Sequence, residues 1–241
     1  MRCPAVASLH PNLRAGTVCA MLALAALALG HKLMHLLPPH SRLRASCEDG
    51  LSQLRGGDLL LHSNSTPKDD FVRFLYSCTC SHVSMVVEDT AGAKFVWESV
   101  RRGAQLTPLR QLLLRRFPRR PGEGLLCRRL NRPLGRRAAS RLVRFVLSRL
   151  GQPYGHTYWK ALHNRWFPHL PVPIRADRVP YHQRYCTDLV AETLEHMGVL
   201  DYTYSGLTHA ATLPCDFTAA RQRLPLAPGY CYSSEIMLLE R

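Results

Sequence analysis

The stretch His82–Ser99, HVSMVVEDTAGAKFVWES, decides the fold. Two runs rich in β-branched and aromatic residues, 82–88 and 94–99, flank the turn sequence DTAGA at 89–93. That pattern predicts a β-hairpin with a loop of about five residues. Side chains alternate along a strand, so His82, Ser84, Val86 and Glu88 share one face, and Lys94, Val96 and Glu98 share one face of the partner. If Val87 pairs with Ala93, His82 stands directly opposite Glu98, with Cβ atoms about 4.5–5.5 Å apart. A carboxylate there can orient an imidazole. A register of the other parity would turn Glu98 away.

Working outward, "GGDLLLH" (56–62) reads as a turn followed by a short buried strand. The arginine- and proline-rich stretch 101–137 reads as loops, with a short helix around "LRQLLLRRF" and a strand at "GLLCRRL". Ala139, Leu142, Val143, Val146, Leu147 and Leu150 recur at helical spacing, and Gly151 and Pro153 end that helix. Residues 167–180 form a proline-rich loop. A second amphipathic helix follows Cys186, with Leu189, Val190, Leu194 and Met197 on one face and Gly198 as its stop. The C-terminal "LPLAPGYCYSSEIMLLE" supplies one or two closing strands. The fold class is therefore α+β, an antiparallel sheet packed on helices.

The chain has 241 residues, 46% of them hydrophobic, which excludes a disordered polymer and fits one sizeable domain plus an appendage. The appendage is N-terminal. Residues 1–14 form a tail, 15–37 a hydrophobic helix, 38–52 a linker and 53–241 the main domain. The apolar run "AGTVCAMLALAALALG" (15–30) continues imperfectly to Leu37, and Pro38-Pro39 stop it. A spanning helix needs about 20 residues, so a single-pass membrane anchor is one reading. The other is a signal segment cleaved near Gly30, giving a secreted protein. Flanking charges leave the orientation open.

Net charge is +15, and only four of the 32 basic residues are lysine. Such a surface favours anionic partners, or reflects composition alone. No nucleotide-binding glycine loop, internal repeat or nucleic-acid motif is present, so no specific nucleic-acid partner is expected. Nine cysteines are scattered without CxxC spacing, which argues against a zinc ribbon. The sequence assigns no metal and no organic cofactor.

The remaining question is chemical. Cys186 falls at the predicted start of a helix, where free backbone N–H groups and the macrodipole favour a thiolate. A nucleophile at that place and a buried structural cysteine are both open readings. A thiolate needs a base, and the base needs an orienter. His82 opens a strand, and Glu98 lies in reach on the hairpin. The backbone N–H of Cys186 is the oxyanion-donor candidate, with Tyr185 a second contributor to that pocket.

Six stretches in order extend this reading: "RGGDLLLH", "CSHVSMVVED", "FVWESVRRGAQLTPL", "LGQPYGHTYW", "RYCTDLVAETLEHMGV" and "THAATLPCDF". Together they resemble the circularly permuted, papain-like branch of the NlpC superfamily of cysteine hydrolases, in its YiiX/YaeF-like group, which also has orthopoxvirus members. The resemblance covers roughly residues 50–220. It implies a permuted papain-like fold in which histidine and glutamate precede the cysteine. It also implies Cys186 as nucleophile, His82 as general base and Glu98 as the orienting residue. The substrate expected is an amide or ester. A lipid-directed acyltransferase or thioesterase on the same fold, and a non-catalytic membrane-tethered binding module, are the alternatives.

Overall fold

The computed structural model describes residues 43–44, 51–64, 66–115, 123–155, 185–203, 212–221 and 223–240. The hydrophobic run at 15–37 and the proline-rich loop at 167–180 lie outside the described residues. Among the described residues, no helix is long and apolar enough to cross a membrane.

The strands are β1 (Leu43–Arg44), β2 (Leu59–Ser63), β3 (His82–Glu88), β4 (Lys94–Val100), β5 (Gly103–Pro108), β6 (Gly124–Arg128) and β7 (Ile236–Glu240). The α-helices are α1 (Pro67–Tyr76), α2 (Leu109–Arg115), α3 (Arg136–Arg149) and α4 (Cys186–His196), and a 3-10 helix spans Pro214–Phe217. The strands form one sheet in the order β1-β7-β6-β2-β3-β4-β5. Every pairing is antiparallel except that of the two-residue β1 with β7. This is the α+β architecture expected.

Both faces of the sheet are covered. On one, Leu59, Leu61, Val83, Met85 and Trp97 pack with Leu142 and Val146 of α3 and Leu189, Val190 and Leu194 of α4. On the other, Leu60, Val86, Val96 and Leu125 meet Leu109, Leu112 and Leu113 of α2. That is why β2 reads as an unbroken leucine run: alternate residues bury on opposite faces. Trp97 also donates from Nε1 to Thr193 Oγ1 at 3.0 Å, tying β4 to α4.

The hairpin forms as predicted, but its register differs. Met85 pairs with Trp97, Val87 with Phe95 and Glu88 with Lys94. Val87 therefore does not face Ala93. Continued to the strand ends, this register sets Ser84 rather than His82 opposite Glu98. The cause is loop closure. The Asp89 N–H bonds the Ala93 carbonyl at 3.0 Å, and Asp89 Oδ1 accepts the N–H groups of Ala91 and Ala93 at 2.9 and 2.8 Å. The shift is of two residues, so parity survives and Glu98 stays on the face of His82.

The Asp58 of "GGD" is 1% exposed and accepts the backbone N–H groups of Arg55 at 2.8 Å and Leu130 at 2.9 Å. It clamps the start of β2 to the end of β6. Burial raises its pKa, and those two bonds oppose the rise.

One element departs from the sequence reading of the middle region, and another forms ahead of it, where that reading assigns nothing. A six-residue strand, β5, occupies Gly103–Pro108 in place of the expected loop. α1 was not anticipated, although Thr66 caps it through Asp69 N–H and Pro67 opens it. Gly103 has φ +105°, and a Cβ there would lie 2.7 Å from the Gln152 carbonyl oxygen. That oxygen accepts the Ala104 N–H at 2.8 Å, so it has no freedom to retreat. Gly103→Ala is expected to destabilise the fold by about 2 kcal/mol or more, read as a lowered denaturant midpoint.

Candidate active site

The site is built from the first residues of two elements. His82 is the first residue of β3, and Cys186 is the first residue of α4, with Tyr185 as its N-cap. The first N–H groups of a helix have no intrahelical partner, so the Cys186 thiol sits beside a ready set of donors. The helix start is the one the sequence predicts.

His82 Nε2–H donates to Glu98 Oε2 at 2.9 Å. Glu98 is 1% exposed, and its second oxygen, Oε1, accepts from Gln105 Nε2 at 3.1 Å. Gln105 stands directly across from Glu98 in the β4–β5 pairing. Each carboxylate oxygen thus has a partner, which is how a buried carboxylate keeps its charge and its aim. Cys186, itself 1% exposed, lies close enough to His82 to act on its imidazole. Burial pulls the His82 pKa down. The Cys186 charge and hydrogen bond, followed by the Glu98 hydrogen bond and charge, outweigh burial and raise it from 6.5 to about 9.

The structure therefore brings His82 and Glu98 into direct contact and sets Cys186 near the imidazole. Tyr185 is adjacent in sequence, and its ring lies 5.7 Å from that of Tyr154, centroid to centroid, tilted by 46°. Tyr154 belongs to the "LGQPYGHTYW" stretch.

Two residues of the site escaped the sequence reading. Gln105 lies in the stretch read as loop. His62 ends the "GGDLLLH" run and pairs directly with His82 across β2 and β3. Their ring centroids are 5.1 Å apart. His62 is 2% exposed, and its Nε2 lies 2.7 Å from Ser84 Oγ. The signal was present, since a polar residue closes an otherwise apolar strand, but its partner strand was not deducible locally. Among the described residues, His62, His82 and Glu98 could hold a metal ion: one donor atom from each lies within 4.8 Å of the others.

Residues 53–169 match the family described as a permuted papain-like amidase enzyme of the YaeF/YiiX type. The matched segment contains His62, His82, Glu98 and Gln105 and ends before Cys186, so the cysteine is placed by the fold and not by that match. Among solved structures, the metalloprotein yiiX from Escherichia coli O157:H7 is similar, with 16% sequence identity and a TM-score of 0.46, covering 76% of this chain and 98% of that one. No curated protein matches. The matched segment, carrying the histidine and glutamate motifs in their permuted order, makes the chain similar over just under half its length to the permuted papain-like amidases of YaeF/YiiX type.

Proposed function

We propose that the chain is a thiol hydrolase of amide bonds, acting through Cys186, His82 and Glu98. The observation that supports this reading is the placing of one imidazole: His82 bonds the buried Glu98 carboxylate and is close enough to the helix-tip sulfur of Cys186 to feel its charge. In the resting pair, protonated His82 donates through Nε2–H to Glu98 and through its other ring nitrogen to the Cys186 sulfur. The thiolate attacks the acyl carbonyl. The oxyanion that forms is met by the Cys186 backbone N–H at the helix tip. His82 then gives its proton to the leaving amine, and a thioacyl enzyme remains. Water, deprotonated by the now neutral His82, attacks the thioester and releases the acid. Glu98 holds the ring in one orientation through both halves. The segment 15–37 tethers this domain to a membrane, which alkaline carbonate extraction of the full-length protein tests.

Thiol labelling tests the chemistry. Of the described cysteines, Cys78, Cys80, Cys127 and Cys215 are buried and Cys231 is exposed. Burial pushes the Cys127 thiol up to about 12. Cys78 is raised well above its usual range by burial, and Cys215 is raised first by its bond to Cys78. None of these three competes as a thiolate near neutral pH. Cys231 labels through exposure alone, so the experiment uses a Cys231→Ser background. An acylating thiol probe should then modify Cys186, and His82→Ala should cut that labelling by about 100-fold. Labelling of Cys186 that is indifferent to His82 would sink the proposal. Feeding the labelled-competent protein with peptides and with phospholipids separates amide from lipid substrates.

A further inference from the structure

The catalytic reading gives His62 no task, yet the fold buries it beside the base. β2 is leucine at 59, 60 and 61 and then histidine at 62, and His62 is only 2% exposed. A buried imidazole in an apolar strand needs a reason, and its neighbours supply one. We propose that His62, His82 and Glu98 form a site for Zn2+ whose occupancy shuts the thiol chemistry off. The inference rests on the catalytic reading for its consequence and on geometry for the site.

The donor set is the first argument. Two imidazoles and one carboxylate are a common zinc triad, with water or substrate completing the tetrahedral shell. The two imidazole nitrogens favour a borderline ion over Mg2+ or Ca2+, which seek oxygen donors. Spacing is the second. The donor atoms of His62, His82 and Glu98 already lie within 4.8 Å of one another. With zinc–ligand bonds of about 2.0–2.2 Å, a tetrahedral shell needs neighbouring donors about 3.4 Å apart. Small side-chain rotations close that gap, because His62 and His82 are directly paired across two strands and Glu98 already touches His82 at 2.9 Å. Environment is the third argument. Glu98 is 1% and His62 2% exposed, so the carboxylate meets the cation away from water. Ser84 Oγ, 2.7 Å from His62 Nε2, and Gln105 Nε2, 3.1 Å from Glu98 Oε1, hold two of the ligands from outside.

Occupancy and catalysis exclude each other. A His82 nitrogen bonded to zinc carries no proton for the leaving amine and takes none from the Cys186 thiol. The side chain of His82, 13% exposed, is where the site opens toward solvent.

The test uses full-length protein stripped with a chelator and titrated with zinc chloride. Three readings are taken: bound zinc by competition with a chromophoric chelator, the visible spectrum after Co2+ replaces zinc, and labelling of Cys186 by the thiol probe. One equivalent of zinc should bind, Co2+ should give the visible d–d bands of a nitrogen- and oxygen-ligated site, and zinc should protect Cys186 from the probe by occupying its base. His62→Gln should weaken zinc binding by about 100-fold, and Ser84→Ala by about tenfold, each protecting Cys186 correspondingly less. Zinc affinity unchanged in both variants, or no binding near one equivalent, overturns the site. Probe labelling of the stripped protein with no zinc binding leaves the hydrolase reading standing and removes this one. Zinc binding that depends on His62, in a protein whose stripped form never labels at Cys186, removes the hydrolase reading and with it the proposed shut-off.

Discussion

Replacing Cys186 by alanine is expected to reduce amide hydrolysis by about 10,000-fold or more while leaving the protein folded. The reasoning separates two roles of one atom. As a packed group, the sulfur is a single buried heavy atom at a helix start, and its loss costs about 1 kcal/mol, a modest shift of the denaturation midpoint. As a nucleophile, it has no substitute within the site, and removing a triad member costs on the order of 10,000-fold or more in rate. Cys186→Ser sharpens the test. Serine keeps a hydrogen bond to His82 and nearly the same volume, so stability is restored, but the hydroxyl at its ordinary acidity is a poor nucleophile without redesign of its base. Both variants should therefore lose activity together while differing in stability. If alanine retained a tenth of the activity, the sulfur would be a structural atom and the buried-cysteine reading of this position would win. The measurement is kcat/KM on an amide substrate, alongside urea unfolding.

How far the sequence alone leads depends on whether a feature is written locally. The β3–β4 hairpin is local. Its alternation, turn residues and parity are all visible in eighteen consecutive residues, and the fold follows them. The register was off by two because the closing contact, Asp89 to Ala93, is a choice between loops of similar cost. The start of α4 is also local, fixed by the change from proline-rich loop to helical periodicity. β5 was hidden because arginines and prolines on both sides mask six residues of alternation, and its reason for existing is a pairing with β4. α1 carries a cap in plain view, Thr66 followed by Pro67 and Asp69, but its short amphipathic run is easily taken for a loop. His62 illustrates the limit most clearly. Nothing in "GGDLLLH" names its neighbour. Only the β2–β3 pairing, formed across the ten residues of α1, sets it against His82. The meeting of Cys186 with His82 is equally non-local, and the ordered motifs of a permuted family, rather than periodicity, pointed to it.

Glu98→Gln is expected to lower kcat/KM by about 100-fold and to move the alkaline limb of the pH profile to lower pH. The wild-type limb comes from His82. Its pKa lies at about 9, raised above 6.5 by Cys186 and Glu98 against the pull of burial. The proton that His82 carries is the one given to the leaving amine, so activity persists up to about pH 9 and falls above it. Glutamine changes the charge at position 98 with little change of shape. Its carbonyl oxygen can still accept from His82 Nε2–H, and the Gln105 amide can turn to present its own oxygen to the new NH2 group. Orientation is therefore kept, and what disappears is the negative charge that favours imidazolium. With that contribution gone, burial weighs more heavily and the His82 pKa drops, which shifts the limb downward. Glu98→Ala separates the two effects, since it removes orientation as well and should lose more rate for a similar shift of the limb. The profile is recorded with chelator present, so that no metal ion competes for the imidazole. An alkaline limb that stays at the same pH in Glu98→Gln would mean that the carboxylate does not govern His82, and the third member of the triad would have to be sought elsewhere.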